Sequence, residues 1–316
     1  MQPTHTDESQ PVTAEAVPGD VGVVRTILAG GLMGIANIIP GVSGGTIVLA
    51  LGLYQNFVDA VADFTRLRFR FASMLFLLLL FGTSSVTIGL LSYPMIWALE
   101  NIHHIMFALF IGLTLGGVPV ILREIHGFTP PVIIGAVFGF GVMVALALAQ
   151  QVSIPGTWIV FFAAGLIASA AMVLPGISGS YLLLIVGLYY PITEAIKNFI
   201  SALKDIDISA AFSIGASVLL PVGLGVIVGV AGLTNGLKWL LENQKAPTMG
   251  ALLGLLVGSV LGLYPFKALM DKGEVISEAH AATPTNIVIV IVAAVAGYAI
   301  TMALARLGNS KATSHS

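Results

Sequence analysis

Apolar positions along this chain come in long unbroken blocks. They show neither the alternation of a half-buried strand nor the one-sided stripe of a surface helix. Six blocks are Phe71–Leu90, His103–Leu122, Pro130–Ala149, Ile208–Gly232, Pro247–Lys267 and Thr285–Ala303. Each is long enough to cross roughly 30 Å of hydrocarbon as a helix of about 20 residues. Two further apolar regions, Val21–Tyr54 and Thr157–Tyr189, are longer but broken near the middle. The breaks read Asn37-Ile38-Ile39-Pro40-Gly41-Val42-Ser43-Gly44-Gly45-Thr46 and Met172-Val173-Leu174-Pro175-Gly176-Ile177-Ser178-Gly179-Ser180. Proline withholds an N–H and stops the helix before it, while the glycines beside it permit a tight turn. Each region is expected to be two short helices joined by a Pro-Gly-x-Ser-Gly turn.

The two broken regions are copies of one another. With Pro40 set on Pro175, a shift of 135 residues, the turn residues Pro, Gly, Ser and Gly coincide. So do Gly52-Leu53-Tyr54 with Gly187-Leu188-Tyr189, and Ala60 with Ala195. Val42 against Ile177 and Asp59 against Glu194 are conservative exchanges. A weaker echo pairs Gly112-x-x-x-Gly116 with Gly254-x-x-x-Gly258, although small-xxx-small spacing is common in membrane helices.

Charge decides the orientation. If each broken region enters and leaves on one face and the other six blocks cross once, each half makes an odd number of crossings. The second copy is then inverted. With the N-terminus inside, Arg25, Arg66, Arg68, Arg70, Arg123, Lys238, Lys245, Arg306 and Lys311 are cytoplasmic, against Lys197, Lys204, Lys267 and Lys272 outside. Nine against four satisfies the positive-inside rule, with Arg66-x-Arg68-x-Arg70 weighing most. Full-depth arms would give ten spans with the same sidedness. The short arms after each turn favour re-entrance. The expected fold is an all-α polytopic membrane protein with an inverted internal repeat, each half a broken, re-entrant helix pair plus three transmembrane helices. The divisions are a polar cytoplasmic tail over 1–20, a first repeat over 21–150, a second over 157–305 and a short tail over 306–316. Asp7, Glu8, Glu15 and Asp20, with no Lys or Arg before Arg25, make the first segment unlike a signal peptide.

Composition agrees. The chain is 57% hydrophobic and 9% charged, with mean hydropathy +1.00, where a soluble domain carries about 25% charged residues. Cys is 0, which excludes a disulfide scaffold. A net charge of -2, with no basic run longer than the alternating Arg66, Arg68 and Arg70, speaks against nucleic-acid binding. No Walker loop, His-Glu-x-x-His or cysteine pair occurs, and no catalytic residue, metal or cofactor is assigned.

The chemistry therefore falls to the breaks. A broken helix leaves backbone polar groups that cost several kcal/mol unless protein or water satisfies them. Arms restarting at Ser43 and Ser178 present N–H groups and a hydroxyl, a setting suited to an anion and above all to phosphate. Two such ends from inverted copies are expected to meet near the membrane middle, as in secondary transporters. The candidate phosphate residues are Asn37, Pro40, Gly41, Ser43, Gly44, Gly45 and Thr46, with Pro175, Gly176, Ser178, Gly179 and Ser180. Met172 and Tyr181 replace Asn37 and Thr46 in the second copy, so finer discrimination is expected in the first loop. The alternative is that both turns are packing kinks with serine caps.

Arg123 and Glu124 close the inner end of a helix, as a headgroup or gating charge or as a local ion pair. Arg66 stands in the basic cluster and would attract anionic headgroups. His103 and His104, at an outer helix start, offer either proton coupling or interfacial structure. Tyr93, Trp97, Trp158, Tyr189, Tyr190 and Trp239 are expected at the interfaces.

Both loops, together with Gly52-Leu53-Tyr54 and Gly187-Leu188-Tyr189, resemble those of a bacterial and archaeal membrane family. That family was long catalogued as a domain of unknown function and is described as polyprenyl-phosphate transporters. The resemblance covers about Val21 to Ala303. It implies a non-enzymatic flippase in the bacterial cytoplasmic (inner) membrane, returning undecaprenyl phosphate from the outer to the inner leaflet for peptidoglycan and other envelope synthesis. H+ or Na+ would drive it, with membrane lipids as surroundings. The residues alone leave open a transporter of a small soluble anion, or a membrane enzyme acting on a lipid phosphate. Neither the coupling ion nor the oligomeric state is legible.

Overall fold

A computed structural model describes residues 22–38, 43–125, 127–149, 154–266, 269–271, 274–277 and 282–309. Pro40 and Gly41 of the first turn lie outside these residues, as do both tail ends, 1–21 and 310–316. The first half comprises α1 (Val23–Ile38), α2 (Gly44–Ala50), α3 (Tyr54–Thr65), α4 (Phe71–Leu115), α5 (Val118–Glu124) and α6 (Pro130–Leu148). The second comprises α7 (Trp158–Val173), α8 (Gly179–Ile185), α9 (Tyr189–Lys204), α10 (Ile208–Ile214), α11 (Leu220–Asn243), α12 (Lys245–Ser259) and α13 (Pro284–Asn309). A two-stranded hairpin, β1 (Leu269–Asp271) with β2 (Glu274–Ser277), is the one departure from helix among the described elements.

Among the described residues, six helices are long and apolar enough to cross a membrane: Phe71–Leu91, Asn101–Glu124, Pro130–Leu148, Ile208–Asn243, Lys245–Leu263 and Pro284–Arg306. They coincide with the six sequence blocks, so the chain is a multi-pass membrane protein. Two differences have physical reasons. The helix from Phe71 does not stop at Leu90 but continues to the non-helical Ile102 (φ −136°, ψ 33°), beyond which a second helix runs to Leu115. Between the two blocks the chain offers no glycine, and Pro94 alone does not end the helix. The helix from Ile208 outlasts its apolar block and reaches Asn243 through an amphipathic end anchored by Lys238. It passes a wide π-turn at Gly215–Leu219, just ahead of Pro221, whose missing N–H breaks the regular ladder.

The repeat seen in sequence recurs element by element. α1 and α7 start and end 135 residues apart, and so do α2 and α8. Both short arms close the same way. Gly52 (φ +68°) and Gly187 (φ +72°) occupy the left-handed region that side chains disfavour. Their N–H groups bond Leu49 O and Leu184 O, and the next N–H reaches back to Val48 O and Leu183 O. α3 and α9 also end alike, on an exposed residue with positive φ, Leu67 (+56°) and Ile206 (+57°).

Close backbone contacts give the helix directions. A Cβ on Gly30 would press on Leu80 O, and one on Gly34 on Ser84 O, so α1 and the start of α4 run parallel. Gly165 meets Val222 O and Gly229 meets Leu166 and Ser169, so α7 and α11 run parallel as well. Gly112 meets Ala294 O and Gly116 meets Thr301, which makes the end of α4 parallel to α13. Gly250 meets Val132 O and Gly254 meets Ala136 O, which makes α12 parallel to α6. α12 begins beside the end of α5, where Lys245 Nζ lies 3.0 Å from Glu124 Oε2, and the turn that ends it, 260–263, packs on α4. α12 therefore opposes the α4–α5 direction, and α6 and α13 oppose each other in turn. Each half lends a helix to the other through glycines that let backbones touch.

Candidate functional site

The two loops meet. Thr46, 2% exposed, accepts a hydrogen bond at its Oγ1 from the Gly176 N–H at 2.7 Å. Tyr54 Oη donates to Val173 O at 2.7 Å, tying the start of α3 to the end of α7. Both bonds are buried and both cross from the first half to the second. Gly176 has φ +87°, and a Cβ there would stand 2.6 Å from Leu255 O on α12. The position demands glycine for both conformation and space.

α2 is buried throughout, from Gly44 to Ala50, although it is two turns of mostly β-branched and small residues. In water such a segment would not hold a helix. Surrounded by apolar groups, it closes its own hydrogen bonds because no water is there to satisfy them. With only 7 residues its aligned dipole is small, so its individual N–H groups are the electrostatic resource. α8 has the same length but is only half-buried.

Each sequence candidate now has a place. Ser43 and Ser178 are buried, 5% and 7% exposed, in extended conformation, and neither hydroxyl caps its own helix. The serine caps of the packing-kink alternative are therefore not made. The cap of α2 comes instead from Asn37, whose exposed side-chain Oδ1 accepts from Gly44 N at 3.2 Å. The Thr46 N–H bonds Ser43 O at 3.0 Å, so the donors expected at the first loop are partly engaged from within. Gly45, Pro175 and Gly176 are buried, Gly179 is half-buried, and Ser180 lies in the first turn of α8.

The outlying candidates are elsewhere. Arg123 and Glu124 do not pair with each other: Glu124 bonds Lys245 and Arg123 is exposed. Arg66 is exposed at the end of α3. His103 and His104 are buried just past the bend of α4, 0% and 6% exposed, with His103 edge-on to Phe107 at 6.0 Å. Tyr93, Trp97, Trp158 and Trp239 are exposed as interfacial residues require, while Tyr189 and Tyr190 are half-buried against each other. No group of metal-ligating side chains occurs among the described residues.

Sequence reasoning missed three groups. Arg25, half-buried in α1, donates through Nη2 to Leu51 O at the end of α2. Lys238 on α11 bonds Asp59 on α3 at 2.6 Å, a second ion pair between the halves. Ser73 Oγ donates to the buried Asp63 carboxylate at 2.8 Å. The signal for Arg25 was available, since it is the one cation inside the first broken region and the second copy has Val160 there.

A family model described as VCA0040-like, undecaprenyl phosphate translocase-like, matches residues 33–275. The chain belongs to this family. The match spans both loops and every contact that joins them. A polyprenyl-phosphate transporter of Vibrio cholerae is 31% identical over 264 residues, 78% of this chain and 80% of that protein. A polyprenyl-phosphate transporter of Staphylococcus aureus is 29% identical over 297 residues, 89% of this chain and 95% of its own length. No solved structure matches.

Proposed function

We propose that this chain carries undecaprenyl phosphate, or a close polyprenyl monophosphate, from the outer to the inner leaflet of a bacterial cytoplasmic membrane. The observation that carries the proposal is the buried Thr46–Gly176 bond, which puts the two matched loops in contact. Two relatives that share most of this chain's length are polyprenyl-phosphate transporters by name. The parallel pairing of α4 with α13 and of α6 with α12 supports an inverted second half. Parallel packing of α1 on α4 supports a first region that re-enters on the side it left.

In this reading the phosphate reaches the loops from the half-buried α8 side. It takes the Gly44 N–H that Asn37 covers, while the Ser43 and Ser178 hydroxyls turn toward it. Binding thus exchanges internal hydrogen bonds for charge-assisted ones, which are roughly twice as strong. The isoprenoid tail stays in lipid beside the protein, and the halves rock about the loops as the headgroup passes. A proton or sodium gradient sets the direction, and both termini lie in the cytoplasm.

The test is leaflet-resolved movement of labelled undecaprenyl phosphate in proteoliposomes, with and without an imposed proton or sodium gradient. Movement is expected to follow the gradient and to resist inorganic phosphate as competitor. A Ser43→Ala/Ser178→Ala double variant is expected to lose at least about tenfold in rate, the worth of one charge-assisted hydrogen bond. Uptake of soluble phosphate without lipid movement would overturn the lipid substrate.

A further inference from the structure

Arg25 is half-buried in the first turn of α1, and one of its polar atoms, Nε, is buried without a hydrogen-bond partner. An arginine set in apolar surroundings is costly unless its charge is matched. Its Nη2 bonds Leu51 O, which suggests a simple clamp on the end of α2. The second half argues against that role. There α8 ends in the same turn, with Gly187 N bonding Leu184 O at 3.0 Å and Leu188 N bonding Leu183 O at 2.9 Å. Val160 occupies the position of Arg25, so this turn closes without an arginine.

What surrounds Arg25 is particular to the first half. Gly52 brings bare backbone against the guanidinium, and a methyl there would stand 3.0 Å from Nη2. Gly52 also lines a cavity of about 110 Å³, together with Gln55, Asn56, Val120 and Glu124. Two of these are side-chain amides, and the one carboxylate, Glu124, is held by Lys245 at 3.0 Å. On the outer flank of α1, next to Arg25, the exposed residues are apolar: Val24 70%, Ile27 39% and Leu28 42%. The guanidinium does not line this cavity itself but abuts it through Gly52. A planar fork of donors beside a small cavity with two amides, and an apolar flank, suit a phosphate monoester on an apolar tail.

We propose that Arg25 and this cavity form a second headgroup subsite, holding the lipid monophosphate at the cytoplasmic end of the path after it leaves the loops. This rests on the transport reading above for its place in the cycle, and on the geometry alone for its chemistry. Arg25 keeps Leu51 O with one nitrogen and offers the rest of the guanidinium to the phosphate. Gln55 and Asn56 take the remaining phosphate oxygens.

The test is equilibrium binding to the purified full chain in detergent, with geranylgeranyl monophosphate, geranylgeraniol and inorganic phosphate as probes. Arg25→Gln is expected to weaken the monophosphate by about ten- to hundredfold, the range for a hydrogen bond to a charged group. Arg25→Lys keeps the charge but not the fork and should fall between. Gln55→Leu, which leaves the Leu51 contact intact, should weaken the monophosphate at unchanged melting temperature. Geranylgeraniol should bind all variants alike. If Arg25→Lys and Gln55→Leu both bind the monophosphate as the parent does, Arg25 is only a clamp and the subsite is refuted. If inorganic phosphate binds as tightly as the lipid, the tail has no place on α1 and the lipid assignment fails. Arg25-dependent binding in a protein that moves no lipid would refute the transport reading and leave the subsite standing. Full transport by Arg25→Gln would do the reverse.

Discussion

Gly112→Leu and Gly254→Leu are each expected to abolish the folded protein, and to do so equally. A Cβ at Gly112 would sit 1.9 Å from Ala294 O, and one at Gly254 2.1 Å from Ala136 O. Both distances are far inside any van der Waals contact and the obstacle is backbone, which no rotamer change can clear. Helix association in lipid has little hydrophobic drive and depends on this close packing. Separating α4 from α13, or α6 from α12, therefore removes the contact by which each half holds a helix of the other. Leucine at Gly141 or Gly223, where nothing lies within 4 Å, should be tolerated. Monodispersity and thermal melting of the four variants in one detergent check this. Survival of either buried variant would mean that the helix pairs are not the frame of the fold.

Thr46→Val is expected to leave the protein folded and to stop most transport. Valine matches threonine in shape but accepts no hydrogen bond, so the buried Gly176 N–H loses its partner. An orphaned buried donor costs about 1–3 kcal/mol, and here the cost falls on the contact between the loops. Thr46→Ser keeps the acceptor and should retain most activity. Gly176→Ala should be worse than Thr46→Val, because it adds strain at φ +87° to a clash with Leu255 O. Rates in the proteoliposome assay should rank parent, Thr46→Ser, Thr46→Val and Gly176→Ala, in falling order. A Thr46→Val rate equal to the parent's would remove the loop junction from the mechanism.

The spans were legible because hydrophobic length is a local property, and a block such as Pro130–Ala149 has little alternative to crossing lipid. The repeat was legible at the turns because proline and glycine there answer to backbone geometry. The echo at Gly112 and Gly254 was weak in sequence, yet it marks helices in equivalent roles, each packed on a helix of the other half. Helix from Leu90 as far as the kink at Ile102 was not legible, since hydropathy falls there while helical bonding persists. Thr46 stood out as an asymmetry between the loops, but its partner lies 130 residues away and no spacing rule reaches it. Asn37 was read as a ligand and is at present the cap of α2. Its neighbours had suggested Ser43 for that task, which local pattern alone could not have reassigned. Arg25 was counted only as a topological charge, because its contact with Leu51 depends on how α2 folds back.

The central claim is that the two halves present equivalent loops from opposite faces of the membrane. Leu67 and Ile206 end the equivalent helices α3 and α9 with the same positive φ, and both are exposed, 75% and 79%. The chain contains no cysteine, so Leu67→Cys and Ile206→Cys each introduce a single thiol. The decisive measurement is labelling of these two variants by a membrane-impermeant thiol reagent in intact spheroplasts and again after permeabilisation. Inverted halves predict that Ile206→Cys is labelled in intact cells and Leu67→Cys only after permeabilisation. Labelling of both from the same side would make the repeat a direct one, and the account of two opposed loops sharing one phosphate would be wrong.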